Sequence, residues 1–238
     1  MRTPYFLKSR YLICLFICLV SFQSKGQTTD PVDPWDYWLI MGNKVVFGGV
    51  NKWKNSHEIQ WRADNNLQEL NTLLYETVVT YSPNSSWEIV PELRLSVRPN
   101  QTQVRPGFGI VRKDYFGEKQ SQLAHQFKWQ MDIGNQTTQA VRYSPSFSVV
   151  IKEKYVVGGL AAFLYQWGTE YDNRLTFIRF GPSFALIFDK VHTLSIVPAF
   201  GVENLGTGEW VGSFTPILQL IIRVNKNYKY LPARYINF

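Results

Sequence analysis

Cysteine is almost missing from this chain of 238 residues, and its two copies, Cys14 and Cys18, both fall near the start. If that region is removed, no thiol remains, which excludes a disulfide framework and a thiolate metal site. Long apolar runs are missing too: beyond Phe22 nothing approaches the roughly 20 consecutive apolar residues a membrane helix needs. No segment carries a 3.6-residue period of useful length, so a helical bundle is excluded. Histidine is scarce and scattered, at His57, His125 and His192. Metal centres need clustered ligands at short spacing, so neither a metal nor another cofactor is expected. Arg105-Pro106-Gly107-Phe108-Gly109 holds two glycines but leads into a strand pattern, which argues against a phosphate loop.

The first residues read as an export signal. Arg2, Lys8 and Arg10 form a basic start, Tyr11 to Phe22 is apolar, and Ser24-Lys25-Gly26 offers a small-x-small cleavage site. The expected division is a signal peptide over 1–26, a short periplasmic lead over 27–35 and a barrel over 36–238. Neither cysteine follows the small residues of a lipoprotein site, so no lipid anchor is expected. Cleavage also changes the charge. Four of the 25 Lys and Arg leave with the signal and none of the 18 acids does, so the balance falls from +7 to 21 minus 18, or +3. Such a balance gives no argument for nucleic-acid binding, which needs a concentrated basic patch.

What fills the rest of the chain is alternation. Phe127-Lys128-Trp129-Gln130-Met131-Asp132-Ile133 and Trp87-Glu88-Ile89-Val90-Pro91-Glu92-Leu93-Arg94-Leu95 place apolar and polar residues in turn. Strand side chains have a period of two, so these runs put grease on one face and charge on the other. Runs of this length behind an export signal predict an all-β, antiparallel up-and-down transmembrane β-barrel. Twelve strands are counted, near 36–47, 56–64, 70–82, 86–98, 104–114, 121–133, 138–151, 154–168, 174–188, 192–203, 212–225 and 228–238. Turn residues separate them, as in Ser82-Pro83-Asn84-Ser85-Ser86. Short connections alternate with apparently longer ones (98–103, 168–173 and 203–211), and their order would also suit a ten-strand core from 56 to 225.

The lipid-facing parity holds Leu73, Tyr75, Trp87, Ile89, Phe127, Trp129, Phe180, Phe184 and their like. Tyr81 with Trp87, and Tyr165 with Trp167, fit an interfacial aromatic girdle. The opposite parity holds Glu58, Arg62, Glu76, Glu88, Glu92, Arg94, Arg98, Lys128, Asp132, Arg142, Arg179 and Arg223. A charge at mid-bilayer on the lipid side costs about 2–4 kcal/mol, so these residues are expected to face the lumen. A proline-x-apolar-x-apolar motif also recurs, from Pro91, Pro106, Pro145, Pro182, Pro198 and Pro216. Proline cannot donate to the ladder, and several of these are expected at one membrane depth, near bulges.

The exported lead, the early tryptophan, and Asp172-Asn173-Arg174-Leu175 opening a strand with Phe180-Gly181-Pro182-Ser183-Phe184 carry a resemblance. The chain resembles the small outer-membrane β-barrels of Gram-negative bacteria grouped as a domain of unknown function. That resemblance implies an outer-membrane location and supplies no catalytic residues. The terminal Phe238 matches the ending that the outer-membrane assembly machinery reads. The expected partners are therefore that machinery, outer-membrane lipids, and a small solute or amphiphile in the lumen.

Three functions follow from inward charge. One is a narrow passive pore or lumen-binding barrel whose acids and arginines set ion preference. Another is a structural barrel closed by ion pairs, such as Glu76 or Glu92 with Arg94. The third, from another class, is a lipid-modifying enzyme of the acyl-hydrolase type. It would need a serine within hydrogen-bond reach of a histidine, and no serine stands out beside His125. Strands 154–168, 174–188 and 192–203 differ from the rest inside, offering Val156, Gly158, Leu160, Ala162, Ala185 and Ala199. A lumen with one greasy and one charged wall would suit an amphiphile.

Overall fold

The computed structural model describes residues 35–48, 52–64, 69–99, 101–117, 121–134, 137–168, 173–204, 210–225 and 227. They form β1 (Trp35–Tyr37), β2 (Leu39–Gly48), β3 (Trp53–Asp64), β4 (Glu69–Tyr81), β5 (Trp87–Arg98) and β6 (Gln101–Phe116). There follow β7 (Ser121–Ile133), β8 (Thr137–Ile151), β9 (Tyr155–Gly168), β10 (Arg174–Phe188), β11 (His192–Asn204) and β12 (Trp210–Val224). Each strand from β2 to β11 pairs antiparallel with its successor, and β12 returns to β2, so the sheet closes on itself.

β1 and β2 occupy one place in the wall. Both pair parallel with β12 in a single register that runs from Trp35↔Gly212 to Phe47↔Val224. The break between them is Trp38, whose N–H still donates to the Phe214 carbonyl at 2.9 Å. The wall therefore has eleven strand positions, not twelve or ten, and is mixed, not wholly antiparallel. The reason is parity: ten reversals separate β2 from β12, so the two run the same way and must close on a parallel seam. The expected strand at 228–238 lies outside the described residues. The ten-strand alternative fails because β2 closes the wall. Two of the apparently long connections, 98–103 and 203–211, also shorten, because β6, β11 and β12 run further than their alternation showed; two to five residues separate consecutive strands from β2 onward.

Two of the connections are two-residue turns of the type I′ kind, which matches strand twist. Lys152 and Glu153 (φ 51° and 54°) join β8 to β9, and Asp189 and Lys190 (φ 50° and 60°) join β10 to β11. Lys154 N–H donates to the Ile151 carbonyl at 3.1 Å, and Val191 N–H to that of Phe188 at 3.2 Å. These turns, with Ser82–Ser86, mark the rim called upper here.

The outside of the wall is apolar and the inside polar, an inversion of a soluble protein. Phe180 is 58% exposed and Phe127 55%, whereas Glu58 is 2% and Lys113 1%. So continuous an apolar exterior has no place in water and matches the hydrocarbon-facing band of a transmembrane barrel. Aromatic residues edge this band at both ends. Trp53, Tyr81, Trp87, Phe116 and Tyr155 stand toward the upper rim, with Tyr37, Trp61, Tyr165, Trp167 and Trp210 toward the lower.

The prolines behave only partly as expected. Pro145, Pro182, Pro198 and Pro216 lie six to eight residues from either end of their strands, at mid-wall, while Pro91 and Pro106 lie nearer a rim. None sits at a bulge; the register shifts fall at Arg62/Ala63 and Leu175/Phe177. Pairing near Pro145 simply lapses, between Tyr143↔Phe163 and Ser146↔Leu160, and resumes in the same register. The missing N–H is tolerated by omitting contacts, so no extra residue is inserted.

Candidate functional site: a charged lumen with an arginine layer

A cavity of about 1640 Å³ fills the barrel. Eleven strands about 4.8 Å apart and tilted by about 40° give a backbone radius of roughly 11 Å. Spread over an apolar band about 25 Å tall, that cavity corresponds to a mean clear radius of roughly 4–5 Å. The lining includes Lys52, Ser85, Lys152 and Lys190 at the upper rim, so the cavity opens there. Going down it reaches Arg62, Arg105, Arg142, Phe177 and Arg179, and its described lining includes no lower-rim turn.

Ion pairs are stacked along this path, because alternation on neighbouring strands aims opposite charges into one space. Near the top, the Lys54 and Lys113 ammonium groups both reach Glu88 Oε1, at 2.7 and 2.6 Å. Lys44 Nζ meets Glu58 Oε2 at 2.7 Å, and the other oxygen of Glu58 accepts from Gln60 and Gln219 at 2.6 and 2.9 Å. Lower down, Lys128 pairs with Glu92, and Arg94 donates through Nε to Glu76 at 2.8 Å. These four side chains are buried, so losing one partner would strand a charge in a poorly solvated place.

Toward the floor arginine dominates. Arg105 Nη2 donates to Asp132 Oδ2 at 2.6 Å, and Arg179 pairs with Glu203. Among the described residues Arg62 finds only the Gln60 amide oxygen, at 2.9 Å from Nη2. Arg142 forms no ion pair with a described carboxylate, and its Nε is buried without a hydrogen-bond partner. The charges that act most strongly on Arg62 are Arg94, Arg105, Arg179 and Glu76. Those acting on Arg142 include Arg94, Arg105, Glu76 and Glu92. Five arginines from five strands thus form one electrostatic layer. Against them stand three directly paired acids, Glu76, Asp132 and Glu203, which leaves five minus three, or +2.

Of the twelve residues singled out from sequence, ten line this cavity. Asp132 reaches it through Arg105. Arg98 sits beyond it near the lower rim, its Nε without a partner. Arg223 stands apart from the arginine layer, its Nη1 donating to Thr193 Oγ1 and the Val191 carbonyl at 2.8 and 3.1 Å. Sequence reasoning passed over Lys44, Lys54, Arg105, Lys113 and Glu203, each of which completes an ion pair. For Arg105 and Lys113 a signal existed: they share the inward parity of Gly107 and Gly109, opposite to Pro106 and Phe108.

The histidines lie on the outer wall with tyrosines. His57 Nδ1 is 2.6 Å from the Tyr75 hydroxyl, and His125 Nδ1 is 2.8 Å from that of Tyr143. His192 faces Phe188. Tyrosine takes the place a nucleophilic serine would need beside His125, so the geometry lends nothing to the acyl-hydrolase reading.

No family profile and no curated protein matches the chain. Among solved structures it is similar to a KdgM porin at 15% identity, with 71% of this chain and 84% of that one covered and a TM-score of 0.46. A KdgM porin in complex with disordered oligogalacturonate matches at 17% identity, 70% and 88% coverage and a TM-score of 0.45. A NanC porin matches at 11% identity, 79% and 85% coverage and a TM-score of 0.48. That the chain is a closed all-β barrel rests on its own strand pairing, through β12 on β2.

Proposed function

We propose that this protein is an integral outer-membrane barrel serving as a narrow passive pore for small anionic solutes, with the arginine layer as its selective step. It would reach that membrane through the signal expected at 1–26 and the outer-membrane assembly machinery, and belong with the domain-of-unknown-function barrels it resembles. One observation carries the reading: Arg62 and Arg142 enter the layer without carboxylate partners among the described residues, leaving it at +2. Charged rings set the sign of the ions a pore prefers. An anion at this level meets guanidinium groups from several sides, whereas a cation must approach +2 in a confined space. Of the paired charges above, Lys44–Glu58 and Lys128–Glu92 cancel, while Lys54 and Lys113 on the one Glu88 add a single positive charge nearer the mouth.

The test is the reversal potential of purified protein in planar bilayers under a potassium chloride gradient. Selectivity for chloride supports the reading. Cation selectivity in an open, conducting barrel would overturn it, and absence of current would leave a closed, lumen-binding barrel.

A further inference from the structure

The outer wall carries a second cavity of about 430 Å³, within the roughly 300–1,000 Å³ of small-molecule sites. It lies on the lipid side of β8, β9 and β10 at the level of the mid-wall prolines. Its cause is the residue types: where neighbouring strands present Phe and Tyr outward, β9 presents only Gly159 and Ala161, flanked by Pro145 and Pro182. Three residues, Pro145, Ser146 and Leu160, line both this groove and the lumen. The wall is therefore one residue thick there. Its pairing also lapses at this point, on β8–β9 around Pro145 and on β10–β11 between Phe180↔Phe200 and Phe184↔Ile196. On the lumen side Ala162 and Leu164 continue the apolar surface. Directly across the strands from them stand Arg179 and Arg142, which pair in register with Ala162 and Leu164. Both arginines have a buried Nε without a partner.

We infer that this is a lateral site for a single-chain anionic amphiphile of the fatty-acid class. The tail lies in the groove and through the wall beside Leu160, and the carboxylate lies in the lumen against Arg142 and Arg179. Charge complementarity selects that occupant. A neutral chain would gain nothing from the arginines, and a protein partner would seat in the groove without reaching them. The site rests on the cationic lumen argued above but does not need an open pore.

The experiment uses the full-length protein in lipid nanodiscs with palmitic acid carrying a mid-chain diazirine. Photo-adducts are mapped by mass spectrometry, and gel mobility with and without heating verifies folding. Adducts are expected on Pro145, Ser146 and Leu160, displaced by excess palmitate and reduced at least fivefold by Arg142→Gln. Ala161→Phe fills the groove from the lipid side and should lower labelling of Leu160 at least tenfold while leaving chloride current unchanged. Gly159→Leu gives a second way to fill it, because a Cβ there meets only the Gly181 carbonyl, at 3.4 Å. Adducts spread evenly around the outer wall, or labelling indifferent to both fillings, would overturn the inference. Labelling at Leu160 that depends on Arg142 in a barrel without current would uphold the site while the pore reading fails.

Discussion

Neutralising the two arginines that have no carboxylate partner among the described residues, by Arg62→Gln and Arg142→Gln together, reduces the layer from +2 to zero and should remove its share of the anion preference. The magnitude follows from Coulomb's law. A permeating ion about 6 Å from one charge gains roughly 0.7 kcal/mol at the dielectric constant of water and roughly 2.8 kcal/mol at an effective value of 20. At about 1.4 kcal/mol per tenfold, each arginine is worth between about threefold and about a hundredfold for one ion, and at least as much in the chloride-to-potassium permeability ratio, because potassium is repelled by the same charge. A narrow but wet lumen belongs between these limits, so the double variant should lose at least about tenfold. Converting both residues to glutamate should invert the sign of the reversal potential. Neither side chain anchors an ion pair among the described residues, so the fold should survive, and heat-shifted gel mobility checks that it does. A ratio unchanged within about twofold in a folded, conducting double variant would refute the claim that this layer sets selectivity.

Breaking the Arg94–Glu76 pair should act in the opposite sense. Glu76→Gln leaves a buried guanidinium uncompensated, so stability falls by about 3–5 kcal/mol in urea unfolding from lipid vesicles, while chloride preference in the surviving folded fraction rises. Gly158→Val should block assembly, because a side chain there would run into the Phe147 carbonyl across β8–β9; overpacking costs typically 1–3 kcal/mol and more against backbone. Folding yield into vesicles reads it, and wild-type yield would mean the two strands can part. The type I′ turn offers a small gain: Lys190→Gly relieves a left-handed φ of 60°, which costs a non-glycine residue about 1–2 kcal/mol, against roughly 0.5–1 kcal/mol of added chain entropy for glycine, so the urea midpoint should rise slightly.

Which face each residue would take was legible because strand geometry has a strict period of two, and the cost of charge in hydrocarbon fixes the sign of each face. Trp129 and Lys128, neighbours in sequence, end on opposite sides for that reason alone. The pairing inside the lumen was legible only as alternatives. Arg94 could have taken Glu76 or Glu92; register places it opposite Glu76, and Glu92 turns to Lys128 instead. Register depends on turn geometry and long-range closure, and alternation does not encode either. Closure also decided the strand count. Alternation says where a residue points, not which strand lies beside it, so a parallel seam of β2 on β12 leaves no mark in the pattern. Lys54 was passed over because β3 begins three residues before its alternation becomes visible.

The same period of two explains why the lumen and the bilayer are so closely coupled. A chain with mean hydropathy −0.17 crosses hydrocarbon because every second residue is spent on the inside, leaving a wall only one backbone thick. In a helical protein a proline or glycine on the lipid face is insulated from the interior by a second layer of side chains. Here it is not. Gly159 and Ala161 on the outside bare the flank of Leu160 on the inside, and Pro145 removes a ladder donor at the same level. The proposed selective layer and the proposed access from the bilayer therefore meet at Arg142 and Arg179, on β8 and β10. A change that fills the outer groove should be felt by an acyl chain before it is felt by an ion in the bore.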